Sequence, residues 1–155
     1  MTSGSVAIHR VATAAEAASV LEYFNGFHDG FIKRLMLVSH DYFEARGVQV
    51  CSGDLELELT LAHYNYREGE PPADQLVRAR FTGVRDIRAD LGRQAAEWSL
   101  MAVHFDPGSR RIEGADQPCL VARFLQQRLV DERWEPYEAL GFTFTYADLR
   151  EVQVT

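Results

Sequence analysis

Two His-Asp dipeptides stand twelve residues apart in the chain, His28-Asp29 and His40-Asp41. A histidine beside a carboxylate can act as a base with its orienting partner, or the two can bind a metal ion. His63 and the triplet His104-Phe105-Asp106 offer further groups that could complete a site. On that reading the chain is a metal-dependent or acid–base enzyme built on His28, Asp29 and His104. The spacing works against one site holding both dipeptides, because an extended chain between them spans roughly 40 Å. No HExxH or HxH pattern supplies ligands at metal-binding spacing. The structural alternative has Asp29 cap the Asp29-Gly30 turn with its carboxylate and packs His28 among Phe24, Phe27 and Phe31. It is preferred because polar groups that serve structure outnumber those that serve catalysis. No catalytic residue, metal ligand or cofactor is therefore expected.

Other chemistry is no better supplied. There is no GxSxG nucleophile motif, and "GVRDIRADLG" lacks the spacing of a phosphate or dinucleotide loop. Cys51 and Cys119 show neither zinc nor CxxC spacing and read as free thiols in a reducing compartment. Glu56 and Glu58 sit two residues apart, but Arg78 and Arg80 can face them across a strand pair, which makes a solvated salt-bridge ladder.

The elements that must position these residues follow from the hydrophobic pattern. Thr13 and Glu16 form a capping box ahead of a helix over 13–24, with Ala17, Val20, Leu21 and Phe24 on its buried face. Asn25-Gly26 supplies the left-handed stop. Residues 30–42 read as a strand. In 53–66, Leu55, Leu57, Leu59 and Leu61 alternate with polar residues, and His63 continues the leucine face. Residues 67–74 read as a loop. Val77, Ala79 and Phe81 point inward in a strand over 75–81. Thr82-Gly83 breaks it, and 84–91 forms a further strand. Residues 97–106 read as a central strand ended by a turn at Asp106-Pro107-Gly108-Ser109. Residues 118–131 suit helix and strand equally. Phe142, Phe144 and Tyr146 share one face in the closing segment, 138–155.

Short turns between strands, without regular crossover helices, imply an α+β class that is mainly antiparallel β. The expected architecture is one N-terminal helix packed on a curved or two-layer antiparallel sheet. The length of 155 residues fits a single domain over 1–155 with a core that needs no staples. The formal charge of −7, from 23 acidic and 16 basic residues, disfavours nucleic acid and suits a basic protein partner. No signal peptide or membrane-spanning run is visible, so a cytoplasmic location is expected. Tyr64 and Tyr66, with Glu68, Glu70 and Asp74 in the adjoining loop, form the expected protein-binding surface. Pairing of strand edges between copies would give a homo-oligomer.

The segments "FNGFHDGFIKRLML", "GDLELELTLAHYNY" and "VRARFTGVRDIRADL" together resemble the Immunity protein 50 family of bacterial polymorphic-toxin systems. The matching positions are Phe27, His28, Asp29 and Gly30, then Phe81, Gly83 and Val84. The resemblance covers about residues 22–105 and leaves the C-terminal third without a counterpart. It implies a small β-rich cytoplasmic protein that neutralises a cognate toxin by binding it. In that reading His28 and Asp29 are a structural signature, and the family contributes no catalytic residues.

Overall fold

The computed structural model describes residues 7–51, 55–65, 73–90 and 96–153. Thr13 opens the helix as the capping box predicts. Its Oγ1 accepts from the Glu16 N–H at 3.2 Å, and the Glu16 carboxylate accepts from the Ala12 N–H at 3.1 Å. Helix α1 (Ala14–Tyr23) buries Ala17 and Val20, and Phe24 at its C-cap is fully buried. It ends where Asn25, Gly26 and Phe27 all take positive φ, a conformation that Asn and Gly tolerate best. Phe27 stacks on Phe24 at 4.8 Å between ring centroids, so tertiary packing holds the phenylalanine in this unusual backbone state.

In chain order the strands are β1 (Ile8–Val11), β2 (Phe31–Ser39), β3 (Tyr42–Phe43), β4 (Gln49–Val50), β5 (Leu55–Asn65), β6 (Ala73–Ala89), β7 (Ala96–Ile112), β8 (Ala115–Val130), β9 (Arg133–Phe144) and β10 (Tyr146–Gln153). All the pairings are antiparallel. From one edge the order is β2, β5, β6, then β9 and β10 end to end, then β8, then β7. β1 flanks β10, and β3 with β4 make a separate two-stranded hairpin. The architecture is thus mainly antiparallel β with one helix, as expected, and the helix is the minor part.

The leucine alternation sets the inner face. Leu57, Leu59 and Leu61 are at most 1% exposed, opposite inward-facing Phe81, Ala79 and Val77 of β6. Phe81 meets Phe142 and Phe144 edge-on at 4.8 and 5.0 Å, and Phe105 meets Phe144 at 5.6 Å. This T-shaped geometry is the one aromatic quadrupoles favour.

Three expectations are corrected, and the open choice at 118–131 is decided. Thr82-Gly83 bends a strand without ending it: β6 continues to Ala89 through positive φ at Gly83 and Asp86. A Cβ at Gly83 would overlap the Thr145 hydroxyl, and Thr145 marks the matching kink between β9 and β10. The two long lanes therefore bend together. That kink also reverses the inward phase, so Phe142 and Phe144 point in while Tyr146 points out and donates to Asp148 at 2.7 Å. Asp106-Pro107-Gly108-Ser109 is no turn but lies inside β7, and the chain reverses at Glu113-Gly114, both at positive φ. Pro107 is tolerated because β7 pairs only with β8 among the described residues, which leaves its other edge without a need for that N–H. Residues 118–131 are strand, with Leu120, Ala122 and Phe124 buried at period two. The sequence reading also missed β1 and the β3–β4 hairpin, and placed the starts of β6 and β9 too late.

The sheet curls into a half-barrel. Its last strand reaches back to its first: the Leu100 N–H donates to the Gly30 carbonyl at 2.6 Å, and the Asp29 N–H donates to the Leu100 carbonyl at 3.0 Å. Helix α1 and the turn after it pack against β7.

Candidate functional site

The Phe27-His28-Asp29-Gly30 stretch is the clasp of this half-barrel. Gly30 lies so close to β5 that a Cβ there would sit 2.7 Å from the Ala62 carbonyl oxygen. Asp29 takes φ +65°, and its backbone supplies one of the two clasp bonds. Its carboxylate lies 3.1 Å from His28 Nδ1, with both side chains more than half exposed. His28 is thus not packed among the phenylalanines. The histidine that fills that role is His63, 4% exposed, edge-on to Phe24 at 5.6 Å and near Phe27 at 5.8 Å. The alternation of β5 had marked His63 as inward, and that was the usable signal.

The other candidates are dispersed. His104 is half-buried on β7 opposite Arg123. His40 points to Glu56 at 3.4 Å. Among the described residues no group of three or more His, Cys, Asp and Glu is placed to hold a metal ion. Cys119 is buried, which pushes its thiol pKa up and makes it a poor nucleophile. Tyr64 is partly exposed at the end of β5, on the same outer face as Phe31 of β2. Asp74 pairs with Tyr64 through its backbone. Tyr66, Glu68 and Glu70 lie outside the described residues.

The expected salt-bridge ladder is half present. Arg80 Nη2 donates to Glu56 Oε1 at 2.7 Å; the guanidinium is more than half exposed, while the carboxylate it holds is buried. Arg78 faces Thr60 on one side and Arg150 on the other.

The feature the sequence reading missed is the outer edge of β2. Leu35 and Leu37 face inward, register for register with the buried Leu59 and Leu57, yet they are 38% and 50% exposed. Among the described residues β2 pairs along its length with β5 alone. A bulge at Lys33 disturbs the start of the edge, a familiar defence against stray pairing, but 35–39 run regularly beyond it. The hairpin that follows carries Tyr42, Phe43 and Val48, all more than half exposed. Among the described residues one stretch of chain, 35–48, thus presents an open strand edge, two half-exposed inward leucines and three exposed apolar side chains. Exposed apolar groups gathered in this way mark interaction surfaces. Completing the burial of each leucine would contribute on the order of 1 kcal/mol.

No model of a known protein family, no curated protein and no solved structure matches this chain.

Proposed function

We propose that this chain is a protein-binding domain, without catalysis of its own, that accepts an extended segment of a partner protein along the outer edge of β2. The observation that carries the proposal is the half-exposure of Leu35 and Leu37 opposite fully buried neighbours. A strand added there would satisfy the edge N–H and C=O groups and bring alternate side chains over the two leucines. Main-chain bonds supply affinity in this mode, and the pockets for alternate side chains supply selectivity.

The net charge of −7 favours a basic partner. The resemblance to Immunity protein 50 makes a toxin the class of partner to seek first. In this reading residues 1–155 act as one cytoplasmic domain, and the helix and the curled sheet serve as its two layers. The surface expected at Tyr64, Tyr66, Glu68, Glu70 and Asp74 is then the rim of the contact.

Photocrosslinking in the source organism tests the proposal. A photoreactive phenylalanine analogue at position 37 or 43 is expected to capture one protein of defined mass. The pair Leu35→Lys and Leu37→Lys should abolish capture while shifting the thermal midpoint by only a few degrees. Capture that survives the two lysines would sink the edge-addition reading, as would capture from position 66 alone. Capture of a second copy of the chain would replace the foreign partner with self-assembly.

A further inference from the structure

The outer face of the sheet carries a feature of opposite sign to the whole protein. Reading across four strands, Arg34 of β2, Thr60 of β5, Arg78 of β6 and Arg150 of β10 are register neighbours in one row. They line a hollow of about 390 Å³ together with Arg80, Glu58 and Asp148. Two of the nearby acids already have partners, while Glu58 stands at the margin of the hollow. Glu56 holds Arg80, while Asp148 accepts from Tyr146 and lies 4.0 Å from Arg10. Arg34, Arg78 and Arg150 are exposed and form no ion pair among the described residues.

Arg78 and Arg150 are direct cross-strand partners. Like charges so placed destabilise a sheet, and a fold under selection for stability alone would separate them. A bound anion turns that repulsion into attraction.

We propose that this row is a binding site for a small phosphate-bearing molecule, its phosphate held by Arg78 and Arg150 with Arg34 alongside. Three guanidiniums lining one hollow suit a doubly charged phosphate better than a single carboxylate, and their planar forks match its oxygens. Glu58 and Asp148 at the margin accept hydrogen bonds from hydroxyl or amino groups on the rest of the ligand. The same two carboxylates, on a protein of net charge −7, work against a long nucleic-acid backbone crossing this face. The hollow lies within the size range of small-molecule sites. The site is on the outer face and stands independently of the leucine edge.

The test uses the full chain and three probes: inorganic phosphate, glycerol phosphate and acetate, at constant low ionic strength. Amide and arginine Nε–H NMR signals of Thr60, Arg78 and Arg150 are expected to shift saturably with both phosphates. Glycerol phosphate should bind more tightly than inorganic phosphate, and acetate at least about tenfold more weakly than either. Arg78→Gln with Arg150→Gln should weaken phosphate binding tenfold or more and raise the thermal midpoint of the free protein. Arg133→Gln, at the start of β9 opposite Val130, should change neither. Shifts that do not saturate would overturn the site. So would equal shifts with acetate, or equal losses in the Arg133 variant. A double variant that binds phosphate as well as the parent would do the same.

Discussion

Two edge strands of the sheet, β7 and β2, share a chemistry and differ in cover. β7 at one edge has Val103 and Phe105 pointing inward, and both are at most 4% exposed. β2 at the other edge has Leu35 and Leu37 pointing inward, and both are at least 38% exposed. The helix and the Asn25–Phe27 turn pack on β7, and Pro107 removes one edge donor from that strand. Among the described residues β2 has no such cover past the Gly30 clasp. The direction of a side chain on a strand is set by local alternation, whereas its burial is set by what lands on that face. Among the described residues one of these edges is covered by the helix and its turn, and the other keeps its inward leucines half-exposed.

The sharpest test of that difference compares register partners. Leu57→Ala removes a fully buried side chain and should lower stability by about 2–5 kcal/mol. Leu37→Ala, its half-exposed neighbour on β2, should lower it by less than about 1 kcal/mol. Urea unfolding of the two variants reads both values. Equal losses would mean that the β2 edge is covered in solution and is not an open seam.

The clasp comes next. Gly30→Ala forces a Cβ against the Ala62 and Phe27 carbonyl oxygens, at 2.7 and 3.1 Å, and should destabilise by about 2–3 kcal/mol. Asp29→Gly relieves a positive φ and should be neutral or slightly stabilising, since the clasp bond from residue 29 is a backbone bond. Loss of stability in Asp29→Gly matching that in Gly30→Ala would give the carboxylate a structural role that its exposed position does not suggest.

What the sequence disclosed and what it hid divide along the same line. The capping box at Thr13 and Glu16 was legible, as was the leucine alternation of β5, because a few neighbouring residues determine each. The inward place of His63 was legible for the same reason. Gly83 and Pro107 misled, because whether a glycine bulges a strand or ends it, and whether a proline sits on an edge, depends on partners far along the chain. In 118–131 Leu120, Val121, Phe124 and Leu125 satisfy both periodicities, and only the pairing with β7 and β9 decides. The arginine row was invisible, since its members stand at positions 34, 78 and 150 and only the register aligns them. The open seam was invisible too, because nothing in Leu35 or Leu37 says where the helix packs.

The smallest expected effect concerns the far end of the open edge. Glu56 lies opposite Val38 near the end of β2, and His40 just beyond reaches it at 3.4 Å. The Arg80 guanidinium bonded to Glu56, aided by the His40 ring, holds this carboxyl below its ordinary value of 4.5, while burial pushes the other way. A carboxyl whose pKa is lowered by folding stabilises the fold above its unfolded value and loses that contribution as the pH falls through the folded one. Glu56→Gln should therefore be about 1–2 kcal/mol less stable than the parent at neutral pH. The gap should shrink once the pH drops below about 4.5, as the parent's carboxyl takes up its proton. Protection factors at the Val38 and Ser39 amides, taken against the intrinsic exchange rate at each pH, should fall over the same acidic range in the parent and stay level in the variant. If the gap keeps its size into strong acid, Glu56 acts through its shape and not its charge. The end of the β2 edge would then be held by packing, and the contrast with the closed edge at β7 would be smaller than the exposures of Leu35 and Leu37 imply.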